Sequence, residues 1–256
     1  MNPVVTFLTD FGTADGYVAE MKGVVLRLLP SATLVDVTHD VAPGDVASAA
    51  YLLARTMGSF PGGTVHVVVV DPGVGTARRA LAAGVGAQRL VGPDNGVLSR
   101  ALERGVSRVV SLRVSDDASP TFHGRDVFAP SAARLAGGED LTALGVAIDD
   151  PVRLPPQRLE RRGGQLVGEV VHVDRFGTLV TNLPAARLAD AAAVRIGAYD
   201  LVLRSTFADV PPGDLVAFVG SGGTLEIAVR DGRADEVLGA TLGGEVRATA
   251  RASQVR

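Results

Sequence analysis

Short runs of β-branched residues alternate with stretches of helical apolar spacing in the first part of the chain. The runs predict strands over 4–9, 33–39, 64–71, 80–85, 89–93 and 108–113. The helical spacing predicts helices over 16–30, 45–60 and 127–138, the second with Asp45 as its N-cap. This alternation is typical of an α/β fold with a mostly parallel central sheet.

The pattern changes at "DDPVRLPPQRLERRGGQ", where prolines, arginines and glycines follow no period. We therefore predict an N-terminal α/β domain over 1–150, a linker over 151–165 and a C-terminal domain over 166–256. Strand-like pieces in the last domain, "LVGEVVHVD", "DLVLR", "LVAFVG" and "TLEIAVR", are separated by Gly, Pro and Asp turns. They are typical of a small all-β barrel or sandwich. The tail "RATARASQVR" is expected to fray.

Composition narrows the class of protein. The 256 residues are 46% hydrophobic and 21% charged, which is typical of a globular protein with a substantial core. The chain has no cysteine, so disulfides, thiolate nucleophiles and Cys-ligated zinc are excluded. The net charge of -3 gives no bulk attraction to nucleic acid or to anionic membranes. With no leader pattern in "MNPVVTFLTDFG", a cytoplasmic location is expected.

Two acids follow predicted strands. Asp10 comes after the first strand and Asp71 ends the third, and ligands of parallel sheets lie beyond the carboxyl ends of the strands. Each acid alone could be a helix cap, but together they favour a shared site. The glycines in "DPGVGTARR" form neither a dinucleotide fingerprint nor a Walker loop. These glycines instead allow the backbone to approach a ligand closely, and they let Arg78 fold back toward Asp71.

Another dense polar stretch is "PTFHGRDVFAP", which holds His123. This histidine could act on a substrate or could be hydrogen-bonded within its loop for structural reasons. Arg125 and Asp126 are predicted to form a local ion pair or a helix cap. The histidines at 39, 66, 123 and 172 show no HxH or HExxH spacing, so we predict no metal site.

The C-terminal domain holds fewer candidates. Asp174 is predicted at a strand end before a Phe-Gly turn, and Glu226 lies inside an apolar strand, where a charge needs a partner. The loop "GSGG", which contains Ser221, is explained by a hairpin turn without any ligand.

Seven ordered blocks of the chain resemble one family. They are "FLTDFGTADGYV", "DVTHDVAPGDV", "VVVVDPGVGTARR", "GPDNGVL", "PTFHGRDVFAP", "VDRFGTLVTN" and "GSGGTLEIAV". Together they resemble the S-adenosyl-L-methionine (SAM) hydroxide adenosyltransferases, which are related to the SAM-dependent fluorinase and chlorinase. The likeness runs from about residue 4 to 245. It implies an N-terminal α/β domain, a smaller C-terminal β-barrel and a homotrimer with its site at the junction of neighbouring subunits.

The resemblance also implies an activity and its residues. The activity is hydrolysis of SAM to adenosine and L-methionine, by attack of water or hydroxide on ribose C5′, with SAM as substrate and no cofactor. The implied catalytic set is Asp71, Arg78 and His123. The implied substrate-binding residues are Asp10 at the ribose hydroxyls and Asp15, Asp174 and Ser221 near the methionine amino and carboxylate groups, to which we add Glu226 for its charge.

Departures from the related halogenases leave alternatives open. The resemblance places an aromatic residue of the halogenases at Asp71 and a fluoride-holding serine of the fluorinase at Gly124, and both differences favour water over halide. Thr178 and Arg230 stand where asparagines are usual, so adenine recognition is expected to differ in detail. The alternatives are a halide adenosyltransferase that forms 5′-haloadenosine and a SAM- or adenosine-binding protein without turnover.

Overall fold

The computed structural model describes residues 2–188 and 191–250, and the chain divides into two compact units, Met1–Leu154 and Pro155–Arg256. The strands of the first unit are β1 (Val4–Thr9), β2 (Thr33–Thr38), β3 (Val65–Val69), β4 (Ala80–Val85), β5 (Gln88–Pro93), β6 (Val106–Leu112) and β7 (Gly145–Ile148). Its α-helices are α1 (Tyr17–Leu28), α2 (Val46–Met57), α3 (Ser99–Leu102), α4 (Ala129–Ala136) and α5 (Leu141–Leu144). A π-helix, Gly124–Phe128, precedes α4.

The seven strands form one sheet in the order β2-β1-β3-β5-β4-β6-β7. The pairs β1/β2, β1/β3 and β3/β5 are parallel, whereas β4/β5, β4/β6 and β6/β7 are antiparallel. The expectation of a mostly parallel sheet is therefore wrong, and the sheet is mixed. The reason lies in the two-residue connection from β4 to β5, in which Gly86 has φ +54°. So short a connection joins antiparallel strands, because a parallel crossover needs a dozen or more residues.

Both faces of this sheet are covered by helices. Met21 of α1 and Phe128 pack on one face with the valines of β1 and β3 that point the same way. Leu53 of α2 and Leu98 pack on the opposite face. Asp45 caps α2, because its side chain accepts a hydrogen bond from the amide of Ser48, as expected from the sequence. The buried sheet thus gives the strand ends a rigid position.

The second unit is built on a nine-stranded, largely antiparallel sheet. Its strands are β8 (Glu160–Arg162), β9 (Gln165–Val173), β10 (Leu179–Pro184), β11 (Ala191–Ile196), β12 (Tyr199–Leu201), β13 (Leu203–Arg204), β14 (Leu215–Val219), β15 (Thr224–Val229) and β16 (Glu245–Ala250). The order is β12-β11-β16-β9-β10-β15-β14-β13, with β8 beside β9. Since β11 also contacts β13, and β12 contacts β14, the sheet is nearly closed into a barrel.

Three details of the second unit differ from the sequence expectations. The short helix α6 (Ala234–Leu238) follows β15, so the unit is not purely β. The segment predicted as a linker contains β8, which pairs with β9. Part of the tail predicted to fray belongs to β16, which pairs with both β9 and β11, while 251–256 lies outside the described residues. Over the described residues, no helix has the length and apolar character needed to cross a membrane.

Candidate active site

The carboxyl ends of β1 and β3 place two predicted site residues at one edge of the first sheet. The strands are parallel neighbours in which Thr9 pairs with Val69, so Asp10 and Asp71 both follow at the same edge. Asp10 Oδ2 accepts a hydrogen bond from the amide of Gly44 at 2.8 Å. That bond orients one carboxylate oxygen of Asp10 and leaves the other for further partners.

Asp71 forms a bidentate pair with Arg78. The Nε of Arg78 donates to Asp71 Oδ1 at 2.8 Å, and its Nη2 donates to Oδ2. The side chains are only 9% (Arg78) and 4% (Asp71) exposed. Two parallel charge-assisted hydrogen bonds in so dry a place fix the carboxylate in position and orientation. The fold-back of Arg78 onto Asp71 expected from the glycine-rich loop is confirmed.

His123 joins this pair through the same guanidinium. Arg78 Nη2 lies 3.1 Å from His123 Nδ1, and an arginine can only donate, so Nδ1 accepts and the ring proton of the neutral histidine lies on Nε2. Burial lowers the pKa of His123, the positive charge of Arg78 lowers it further, and the carboxylates of Asp71 and Asp126 oppose them. His123 is thus a neutral side chain at pH 7 with an N–H donor at Nε2.

Gly75 allows the loop after Asp71 to meet the segment that carries His123. Its φ is +79°, and a Cβ built on it would lie 2.8 Å from the carbonyl oxygen of Pro120. Only glycine combines that conformation with so close an approach of two backbones. His123 itself is the N-cap of the π-helix, and π-helical turns are frequent at functional sites.

A polar chain lies behind Asp10 at the ends of β1 and β2. The Oγ1 of Thr9 lies 2.9 Å from His39 Nδ1, and His39 Nε2 lies 2.9 Å from Asp36 Oδ1. Lys22 Nζ donates to the other oxygen of Asp36 at 2.6 Å. Burial opposes ionisation of Asp36, but the bonds from Lys22 and His39 outweigh it and lower its pKa. The chain ties the residue before Asp10 to α1.

Other polar residues of this unit are not part of the cluster formed by Asp71, Arg78 and His123. Asp15 is exposed in the bend before α1. Arg125 pairs with Asp126 through two hydrogen bonds of 2.7 and 3.0 Å, which confirms the expected local ion pair. Among the residues that the structure describes, no group of three His, Cys, Asp or Glu side chains could hold a metal ion.

The second unit contains a cavity of about 760 Å³ that includes two predicted substrate-binding residues, Asp174 and Glu226. Asp174 Oδ1 accepts from the amides of Phe176 and Thr178, at 2.9 and 2.8 Å. Glu226 faces the cavity from β15, and its carboxylate packs against the Cα of Gly220. Ser221 follows in the exposed turn between β14 and β15 and does not line the cavity.

Sequence reasoning missed several lining residues of this cavity, among them Phe207. Thr206 and Asp209 form a capping box around the short 3-10 helix Phe207–Asp209, and the segment "STFADVPPG" carries that signal. Arg230 also lines the cavity, and its Nη1 donates to the carbonyl of Val210 at 2.8 Å. Arg230 therefore secures the turn that holds Phe207.

In the first unit, a carboxylate at a strand end is hydrogen-bonded to a guanidinium, which also contacts an imidazole. The second unit is nearly barrel-shaped. These two features define the class of protein with which the chain is compared. Family models for the SAM hydroxide adenosyltransferase N-terminal and C-terminal domains match residues 5–145 and 168–247. The chain belongs to this family.

Relatives of known name and structure agree with that assignment. The chain is 45% identical to an (R)-S-adenosyl-L-methionine hydrolase of Salinispora arenicola, over 97% of this chain and 98% of the relative. A protein of the same name from Thermus thermophilus is 42% identical, over 96% and 99%. A solved structure of a conserved protein from Thermotoga maritima superposes with a TM-score of 0.88 at 37% identity, over 96% and 99%. A fluorinase of an Actinoplanes species is more distant, at 32% identity over 89% and 91%.

Proposed function

We propose that this protein hydrolyses S-adenosyl-L-methionine to adenosine and L-methionine. The observation that carries the proposal is the hydrogen-bonded set of Asp71, Arg78 and His123, because it supplies a fixed carboxylate and a neutral N–H donor side by side. Membership of the family and the names of the relatives support the choice of substrate.

The reaction needs help at the nucleophile and not at the leaving group. The C5′–S bond breaks with its electron pair going to sulfur, so the sulfonium leaves as the neutral thioether of methionine without a proton. Water, by contrast, is a poor nucleophile at neutral pH and must be held in line with the breaking bond while it loses a proton. The new bond joins the water oxygen to C5′, and the proton passes to a base and then to solvent.

We propose different roles for the two candidate bases, Asp71 and His123, on the basis of their hydrogen bonds. His123 has its Nδ1 occupied by Arg78 and its proton on Nε2, so it donates to the water and orients it. Asp71 keeps unused lone pairs on both carboxylate oxygens and accepts the proton. Arg78 holds both groups. These hydrogen bonds support Asp71 as the proton acceptor.

Substrate binding follows from charge and from hydrogen-bonding capacity. SAM carries a sulfonium and an ammonium, and carboxylates in a site shielded from water stabilise both. We assign the ribose hydroxyls to Asp10, whose second carboxylate oxygen is open to them. We assign the methionine amino and carboxylate groups to Asp15, Asp174 and Ser221, and keep Glu226 as a further substrate-binding candidate. The family resemblance supports a homotrimer with its site at the subunit interface. Sedimentation velocity tests the trimer, and the cytoplasmic location stays a prediction.

The experiment is incubation of the protein with SAM in water labelled with heavy oxygen, followed by mass spectrometry of the products. The two sulfonium epimers are assayed separately, because the relatives' names specify the (R) form. We expect equal amounts of methionine and adenosine, with the label in the adenosine 5′-hydroxyl, and no turnover above background with Asp71→Asn. Release of adenine, or adenosine without the label, would contradict the proposal.

The same incubation with chloride or fluoride tests the halide alternative. A 5′-haloadenosine product would replace our proposal with a halide adenosyltransferase. Tight binding of SAM without methionine release would support a binding protein. A Cβ on Gly124 would lie 3.0 Å from Met21 Sδ and 3.1 Å from the Phe122 ring, so a serine at 124 would require these side chains to shift.

A further inference from the structure

The turn that follows β5 is hydrogen-bonded to the backbone beside Asp71. Asn95 Nδ2 donates to the carbonyl oxygen of Val70 at 2.9 Å, and Asn95 Oδ1 accepts from the amide of Val97 at 3.1 Å. The Val70 carbonyl belongs to the peptide bond that joins Val70 to Asp71, and β3 has already ended at Val69. Asn95 thus fixes the peptide plane from which Asp71 projects, at a position outside the strand.

The same turn is also hydrogen-bonded to the backbone beside Arg78. The amide of Asp94 donates to the carbonyl oxygen of Arg79 at 2.9 Å, and Arg78 Nη1 donates to that same oxygen at 3.2 Å. The Asp94 carboxylate is 2% exposed and holds the Arg79 side chain and the amide of Val152, each at 2.7 Å. The acceptor that orients one arm of the Arg78 guanidinium is therefore itself held in place.

We propose that Asp94 and Asn95 are positioning residues for the Asp71–Arg78 pair. One turn sets the peptide that carries the carboxylate and the carbonyl that orients the guanidinium, so the two halves of the pair keep their relative position. The block "GPDNGVL", which the sequence analysis left without a role, supplies this turn. The inference rests on the proposed hydrolysis, since it concerns how Asp71 and Arg78 are held in position at that site.

The physical reason to expect an effect on turnover is that Val70 is fully buried. Without the Asn95 amide, its carbonyl has lost its side-chain partner, and the peptide before Asp71 is free to rotate. A small displacement of a group that orients the nucleophile lowers the rate of the chemical step much more than it weakens substrate binding. A residue that serves only stability would change neither kinetic constant of the folded protein.

The test compares Asn95→Ala and Asn95→Asp with a matched control, Asn182→Ala. Asn182 lies on β10 of the second unit and makes the same two kinds of bond: its Nδ2 donates to the carbonyl of Arg158 at 2.8 Å, and its Oδ1 accepts from the amide of Glu169 at 2.9 Å. Asn95→Asp keeps the acceptor used by Val97 and replaces the donor to Val70 with a carboxylate oxygen, which repels the Val70 carbonyl oxygen. It therefore carries the test if Asn95→Ala does not fold.

We expect both Asn95 variants to lower kcat by about 10- to 100-fold, with KM for SAM and the Kd for adenosine within about 3-fold of the parent. Asn182→Ala should keep kcat within about 2-fold of the parent value, even if its Tm falls as much as the Tm of the Asn95 variants. The double variant Asp94→Asn/Asn95→Ala should lose less kcat than the product of the two single fold-losses. The reason is that both residues act through the Asp71–Arg78 pair.

Three results overturn the inference while leaving the hydrolase proposal intact. They are an unchanged kcat in folded Asn95 variants, a loss confined to KM, and an equal loss of kcat in the Asn182 control. If the parent protein itself releases no adenosine from SAM, the proposed function fails first. The two failures are thus distinguished by the parent's own activity.

Discussion

Arg78 donates its Nη2–H to Nδ1 of His123 across 3.1 Å, and this single contact determines which nitrogen of the histidine can act. The guanidinium has no lone pair to offer, so the imidazole must accept there and carry its proton on Nε2. A histidine in this state donates to a water molecule and does not take its proton. The contact thus supports the separate roles that we propose for His123 and Asp71.

The effect of a substitution at His123 on kcat should depend on whether the new side chain can donate a hydrogen bond from the position of Nε2. Glutamine can place an amide N–H near the position of Nε2, whereas asparagine is too short and offers only an acceptor to Arg78. We expect His123→Gln to retain at least about 10-fold more kcat than His123→Asn, since loss of one positioned hydrogen-bond donor in an active site lowers kcat by about 10²- to 10³-fold. Steady-state assays of methionine release measure this. Equal activities of the two variants would contradict the donor role.

The same contact predicts the acid side of the pH profile. Because burial and the charge of Arg78 lower the pKa of His123, the histidine is neutral above about pH 6.5 and gains a proton only at lower pH. Protonation puts an N–H on Nδ1, opposite the guanidinium donor, and breaks the contact. We expect kcat to fall at pH values below about 6.5, as His123 gains its proton. In His123→Gln the part of this fall due to the histidine should disappear.

Arg78 should stabilise the fold as well as the site. Removing it in Arg78→Met leaves the Asp71 carboxylate, which is 4% exposed, buried without its cation. We expect a loss of about 3–5 kcal/mol in the free energy of unfolding, as for other broken buried pairs. The double variant Asp71→Asn/Arg78→Met should recover much of that loss, since no charge remains unpaired. Urea denaturation measures both, and additive losses would show that the two side chains are not energetically coupled.

Asp10 should act on binding more than on turnover. Asp10→Asn keeps an oxygen for the amide of Gly44 but loses the second carboxylate oxygen that we assign to the ribose. We expect KM to rise by about 10-fold with little change in kcat, the pattern of a lost ground-state contact. Calorimetry with adenosine and 2′-deoxyadenosine provides the control. The parent should prefer adenosine, and Asp10→Asn should lose most of that preference.

The sequence predicted the elements of the first unit well and their directions less well. The runs of valine and the helical spacing locate β1, β3, α1 and α2 to within a few residues, because periodicity reports which face is buried. Strand direction depends on the connection, and the two-residue turn at Gly86 reverses β4. In the second unit β16 was missed, because its glutamate, its arginine and its two alanines carry little strand propensity and pairing with β9 and β11 stabilises it.

At the site, residue types pointed to Asp71 and Arg78 through the glycines between them, and the structure confirms that contact. The addition of His123 to the pair required the resemblance, since no spacing in the chain shows that two loops 45 residues apart meet. Phe207 in the cavity and the turn at Asn95 were not found by sequence reasoning. Their importance depends on backbone carbonyls and on cavity walls, which residue types do not encode.

Gly75 offers a test of how the two loops are brought together. Alanine there must adopt φ +79° and also meet the carbonyl of Pro120, so His123 should move away from Arg78. Gly86→Ala is a matched control, because Gly86 also has a positive φ, +54°, but its Cβ would meet nothing within 4 Å. We expect the positive φ to cost each variant about 1–2 kcal/mol in stability, and the contact with the Pro120 carbonyl to add to that loss only in Gly75→Ala. Only Gly75→Ala should lower kcat by about 10-fold or more, as expected for displacement of a positioned group.

His66 should make the stability of the protein dependent on pH, away from the site. It is 1% exposed on β3 and its Nδ1 lies 2.8 Å from the Thr6 hydroxyl. Burial lowers its pKa to about 4, against the opposing effect of Gln88. An unfolded histidine titrates near pH 6.5, so the unfolded chain binds the extra proton between these values. The stabilisation is therefore complete above pH 6.5 and is lost as the pH falls toward 4.

From pH 7 to pH 5 this one group should remove about 2 kcal/mol from the free energy of unfolding, given 1.36 kcal/mol for each pH unit in which only the unfolded state is protonated. Urea denaturation at the two pH values measures the change. His66→Asn offers Thr6 a polar atom near the position of Nδ1 and cannot titrate, so its stability should change less over the same interval. Equal changes in the parent and the variant would mean that other groups cause the acid sensitivity. A difference of the opposite sign would mean that His66 is protonated in the folded protein.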